Sequence, residues 1–167
     1  THLNTLVLHE NELIDKLLFL KKYYGDPSMF NHLKRVGHPI NVIYHTRSHI
    51  RKVIQLAHAR NIAVILEVKE LTFPEQLTEK YPELINNGIV CPTHPLWYDF
   101  LHDKYTELSQ EFSEIDGIIV SHGSAEGRAS LVSGHCQCNR CQKTSLYEWY
   151  KRSISAMYEP WRAKHIK

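Results

Sequence analysis

The chain has 167 residues, 43% of them hydrophobic and 23% charged, which is the range of a single soluble globular domain and excludes disorder, collagen and coiled coil. Twenty Lys and Arg against eighteen Asp and Glu leave a net charge of +2, too balanced for a broad electrostatic surface, so neither nucleic acid nor a membrane is an expected partner. No apolar run approaches the ~20 residues of a bilayer span, and the abrupt start at Thr1 suggests a mature product or an excised piece.

In chain order, Leu3 to His9 reads as a strand with apolar residues on both faces, as in a buried parallel sheet. Glu10 to Tyr24 carries Leu13, Leu17, Leu18 and Leu20 near helical spacing and stops at the breaker Gly25, Asp26, Pro27. The segment up to Pro39 is expected to be irregular and Ile40 to Tyr44 to be a short strand. Thr46 then caps a helix with Ile50, Val53, Ile54 and Ala57 on one face, ending at Asn61. Ile62 to Val68 is a near-continuous apolar run broken only by Glu67, the pattern of a buried parallel strand.

Pro74 to Leu84 reads as a short helix or turn, and Pro95 to Phe112 as a longer helix with Trp97, Leu101, Tyr105, Leu108 and Phe112 along one stripe. Gly117 to His122 is the next strand, followed by a small-residue loop from Gly123 to Gly134. A last helix begins near Ser145, with Leu146, Trp149, Ile154 and Met157 expected inward. Strands alternating with helices predict one α/β domain of parallel β/α units, equivalent to part of a TIM (β/α)8 barrel. A whole barrel takes ~250 residues, so this length predicts a fragment that self-associates or belongs to a longer chain.

In such sheets ligands are met where the strands end at their C-termini. Those ends deliver His9 and Glu10, then Glu67 with Lys69 and Glu70, then His122 with Glu126 and Arg128 soon after. Carboxylates on neighbouring strands suit glycosidic bond hydrolysis, in which one protonates the leaving oxygen and another attacks or stabilises the anomeric carbon. Glu126 and Glu67 are therefore the candidate catalytic groups, and His9, Glu10, His122 and Arg128 the candidates for binding substrate. Glu67 shares its face with Ala63 and Ile65 and is expected to line an interior. His122 reads equally well as a sugar-binding donor or as a satisfied core histidine, and Trp97, Trp149 and Trp161 read as core.

Cys136, Cys138 and Cys141 stand at C-x-C-x-x-C spacing, able to wrap one tetrahedral ion with Cys91, His135 or His94 as a fourth ligand. Structural zinc, reduced or disulfide-bonded structural cysteines, and an iron–sulfur or redox role are the three readings. The expectation is that the three organise the loop rather than perform chemistry, whether they share an ion, form a local bridge or pack as small apolar groups.

The order of residues from Thr46 through Gly123, with Ile62 to Val68, Tyr81 to Leu84, Cys91 to Pro95 and Ile115 to Val120 in it, resembles successive β/α units of glycoside hydrolase family 20, and Asn4 to His9 looks like that family's second strand. The resemblance implies a barrel of carbohydrate-cleaving enzymes. It also departs from the family, whose Asp-Glu pair after Gly-Gly is replaced here by Ser121, His122, Gly123, Ser124, Ala125 and Glu126. The expected function is hydrolysis of an oligo- or polysaccharide without a required cofactor, and the competing class is a non-catalytic carbohydrate-binding or scaffold protein.

Overall fold

The computed structural model of the chain describes residues 3–9, 13–24, 40–70, 73–122, 125 and 127–165. They form two compact units, Thr1–Val68 with Glu107–Val120 and Lys69–Thr106 with Ser121–Lys167. The architecture is mixed α/β: a parallel sheet of three strands in the first unit and mostly helices in the second. A closed barrel is not formed by these strands.

The sheet orders β1 (Thr5–His9), β2 (Ala63–Val68) and β5 (Gly117–Val120) with β2 central and every pairing parallel. His9 pairs with Glu67, and Glu67 with Ile119, so the three strands bring their C-terminal ends into register. One face, with Val64, Leu66 and Val68, is buried. The other is open among the described residues, with Val7 and Ile119 each 43% exposed, which corrects the expectation of a sheet buried on both sides. Asp116, just before β5, accepts from the Val64 main-chain N–H at 2.7 Å and lies 2.8 Å from His58 Nε2. Burial alone would raise its carboxyl, but these two partners hold it below the ordinary carboxylate value.

α3 runs from Ile40 to His58 as one helix packed on β2 and on α1 (Leu13–Leu17). The expected strand at Ile40 to Tyr44 is absent because Ile43, Arg47, Ile50, Ile54 and Ala57 bury one stripe at steps of three and four, so Thr46 is interior rather than a cap. The helix closes as expected at Asn61 (φ +56°), with Ile62 N–H donating to Ala57 O and Asn61 N–H to His58 O, the Schellman arrangement.

The helix expected from Glu10 to Tyr24 is instead two pieces, α1 and α2 (Lys21–Tyr24), broken at Leu20 with φ +50°. The Glu107 carboxylate explains the break. It accepts from the N–H groups of Phe19, Leu20 and Lys21 at 2.7, 3.1 and 3.3 Å, donors that a continuous helix would have used. Arg47, buried between the rings of Phe19 and Phe112, pairs with Glu111 and donates to Leu17 O at 2.8 Å. The irregular segment expected before Pro39 lies largely outside the described residues.

In the second unit, α4 (Glu75–Thr78) and a 3-10 turn (Pro82–Leu84) lead into a hairpin of β3 (Ile85–Asn86) and β4 (Ile89–Val90). Asn87 and Gly88 take φ +50° and +77°, the conformation of a two-residue type I′ turn. α5 (Pro95–Glu111), whose residues up to Thr106 belong to this unit, buries the expected stripe, and Trp97 and Phe100 stack while Phe73 meets both edge-on. After α6 (Asn139–Lys143), α7 (Leu146–His165) buries Trp149, Ser153 and Met157. Leu146 and Ile154 are 51% and 39% exposed, contrary to expectation, because the buried stripe steps by four from Trp149 and leaves both off it.

Candidate metal centre

Cys91 follows β4 directly, while Cys136 and Cys138 lie ahead of α6 and Cys141 lies inside it. The fold of the second unit gathers all four, with their Sγ atoms within 4.8 Å of one another. Cys91 Sγ lies 3.7 Å from Cys138 Sγ and 3.6 Å from Cys141 Sγ. Four thiolates about 2.3 Å from one tetrahedral ion stand about 3.8 Å apart, so these separations suit a metal. All four cysteines are free thiols in this structure.

Sequence and local structure explain the convergence. The Asn87, Gly88 turn folds the hairpin so that Asn86 Nδ2 reaches Cys136 Sγ at 3.7 Å, beside the strand that ends at Cys91. Cys138 caps α6, its Sγ accepting from Cys141 N–H at 3.5 Å, which turns the C-x-x-C segment inward. Cys91, Cys136 and Cys141 are buried with Ile89 and Leu131 packed around them, and Cys138 is the half-exposed member. The Thr93 hydroxyl sits between two of the cysteines, 3.4 Å from Cys91 Sγ and 3.2 Å from Cys141 Sγ.

Burial pushes the Cys136 and Cys141 thiols up. Burial also opposes ionisation of Cys138, but the Cys141 N–H and the neighbouring thiols overcome it and bring that thiol down to about 7. His94 is half-buried with Nδ1 accepting from Leu96 N–H at 3.3 Å, and burial followed by the Arg140 charge lowers its pKa. Cys91 rather than His94 or His135 is thus the fourth member of the cluster.

The strand-end candidates are placed separately. His9 Nδ1 and Glu67 Oε2 are 3.2 Å apart on the open face of the sheet, with side chains 52% and 29% exposed. Glu67 is half-buried and paired, not enclosed in an interior, because Ala63 and Ile65 share the open face. Glu10 and Glu126 lie outside the described residues, and Arg128 is exposed. His122 belongs to the second unit, buried, with its ring stacked 4.5 Å from that of Trp149. Burial lowers its pKa to about 4, and the Glu70 main chain beside it offsets that only in part.

Glu70, expected only as a strand-end ionisable residue, belongs to a buried polar cluster just beyond β2, a pairing that sequence reasoning missed. Glu70 accepts from Lys104 Nζ and from Tyr105 Oη, both at 2.9 Å, in a fully enclosed setting. Lys104 sits within the apolar stripe of α5, and that spacing was the signal available.

Comparisons of the chain with known protein families, with curated proteins and with solved structures find no match.

Proposed function

We propose that the chain binds one zinc ion through Cys91, Cys136, Cys138 and Cys141, and that the ion is structural. The observation that carries this reading is the set of four Sγ atoms within 4.8 Å, drawn from two segments some fifty residues apart. Four thiolates close the coordination shell and leave no position for substrate, which separates a structural from a catalytic centre. Apparent zinc affinities of such sites reach about 10–16 kcal/mol, comparable with the whole stability of a domain, so the ion would decide whether this region folds.

The test is elemental analysis of protein purified without added metal, followed by chelation. About one zinc per chain, and a fall in melting temperature of roughly 10 °C or more on its removal, is the expected result. Visible absorption with iron in the sample would instead assign an iron–sulfur centre. Loss of two hydrogens per bridge in the intact mass would assign disulfides.

A second reading concerns the sheet: we infer glycoside hydrolase activity on an oligo- or polysaccharide, with Glu67 as the acid and His9 beside it. What supports it is their 3.2 Å pairing on adjacent parallel strands, at the C-terminal ends and on the open face. Glu126 is the other carboxylate this reading calls on. Turnover of a panel of chromogenic aryl glycosides, abolished by Glu67→Gln, is the expected outcome. Retained sugar binding with no turnover on any of them would favour the non-catalytic carbohydrate-binding class.

A further inference from the structure

The four sulfurs differ in what surrounds them. Cys136 is approached by Asn86 Nδ2 at 3.7 Å and by the Cys138 main-chain N–H, and Cys138 by the Cys141 N–H at 3.5 Å. These donors come with the C-x-C-x-x-C segment and the hairpin turn. Cys91 and Cys141, both buried, are each reached by Thr93 Oγ1, and among the described residues no other side-chain hydroxyl or amide reaches either sulfur.

Thr93 is itself 1% exposed, two residues after Cys91 and two before the start of α5 at Pro95. The segment is fixed from the other side as well, since Pro92 O accepts from Trp149 Nε1 at 3.1 Å. A hydroxyl held there is a built feature of the cluster and not a passing surface contact.

Four thiolates around a divalent cation carry a net charge of −2, which burial makes costly unless donors point at the sulfurs. We propose that the Thr93 hydroxyl is a positioning residue of the metal centre, donating its one proton to the buried thiolate pair Cys91 and Cys141 and so setting how tightly and how inertly the ion is held. This deepens the zinc reading above and rests on it. With the ion bound all four sulfurs are deprotonated, so the hydroxyl can act only as donor. It shares one proton between sulfurs at 3.4 and 3.2 Å, drawing electron density from each and lowering their reactivity toward alkylating and oxidising reagents. Cys138, the half-exposed ligand, lies outside its reach and is left as the thiolate that dissociates or reacts first.

The test uses the full chain in zinc-loaded and cobalt-substituted forms, with Thr93→Val as the near-isosteric variant lacking the hydroxyl and Thr93→Ser as the one retaining it. Transfer of zinc to a chromogenic chelator should be at least about tenfold faster in Thr93→Val and close to wild type in Thr93→Ser. The thiolate-to-cobalt charge-transfer band should move to lower energy in Thr93→Val alone, a readout that loss of packing would not produce. Alkylation followed by peptide mass spectrometry should mark Cys138 first in the wild type, with Cys91 catching up in Thr93→Val.

A wild-type chain that takes up neither zinc nor cobalt overturns the metal reading itself. A wild type that binds, with Thr93→Val matching it in transfer rate and spectrum, overturns only the role given to Thr93. So does a Thr93→Ser variant that behaves like Thr93→Val, since the methyl and not the hydroxyl would then matter. Should Thr93→Val not fold, Thr93→Ala is read against Thr93→Ser: equal retention overturns the proposal, and a loss confined to Thr93→Ala supports it.

Discussion

Lys104 Nζ stands 2.9 Å from Glu70 Oε2, and each side chain is only 3% exposed. The phenol of Tyr105 donates to the other carboxylate oxygen at 2.9 Å, so the carboxylate is satisfied on both sides. Taking two charges out of water is costly, and the pair recovers that cost only while both partners remain. Lys104→Met should therefore destabilise the second unit by about 3–5 kcal/mol in denaturant unfolding, by stranding the Glu70 charge. Lys104→Met with Glu70→Leu should recover most of the loss. A single variant as stable as wild type would show that the pair contributes nothing.

His122 gives the second unit a built-in acid sensitivity. Burial lowers its pKa from the ordinary 6.5 to about 4, and the Glu70 main chain offsets this only in part. Because the folded value lies below the unfolded one, the buried neutral ring contributes stability that is complete above about pH 6.5 and is lost as pH falls from there toward 4. The shift corresponds to about 3 kcal/mol. His122→Phe keeps a flat ring against Trp149 and removes the titration. Its unfolding free energy should vary less than that of wild type between pH 6.5 and 4, and parallel pH curves for the two proteins would refute the assignment.

Gly88 takes φ +77° at the second position of the hairpin turn, and a side-chain carbon added there would meet nothing within 4 Å. The cost of replacing it is then conformational and not steric. Gly88→Ala should destabilise by roughly 1 kcal/mol, and because the turn aims Asn86 at Cys136, the same variant should hold zinc less tightly. A chelator competition in which Gly88→Ala and wild type are equal would separate the hairpin from the metal centre.

These relationships were unequally legible in the sequence. The parallel strands at Ala63–Val68 and Gly117–Val120 showed as short apolar runs, and α5 showed through its stripe, because burial writes periodicity directly into residue type. The break at Leu20 did not show, since its cause is the Glu107 carboxylate, which is 87 residues away. The β3 and β4 hairpin did not show either: with two-residue strands it has no periodicity, and the Asn87, Gly88 pair was its one signal. The metal candidates show as C-x-C-x-x-C, with Cys91 one of three residues able to take the fourth position. Only the fold, by ending β4 beside α6, singled it out.

Cys91 differs from the other three cysteines of the cluster in what its loss would do. Cys136, Cys138 and Cys141 lie within six positions and stay near one another in any conformation of that segment, whereas Cys91 is brought to them by the fold and the packing around it. An ion bound by all four closes a loop of some fifty residues, and closing long loops removes the most freedom from the unfolded chain. Cys91→Ser should thus cost more stability than Cys138→Ser, whose half-exposed position allows water to serve as the fourth ligand. In hydrogen exchange, Cys91→Ser should lose protection both at 85–91 and at 136–143, because each segment is held through the other. Cys138→Ser should lose it mainly at 138–143 and retain part of its zinc. If the two variants lost equal stability and the hairpin stayed protected in Cys91→Ser, the hairpin would be held by packing of Ile89 and Leu131 alone, and the cross-link would be immaterial to its fold.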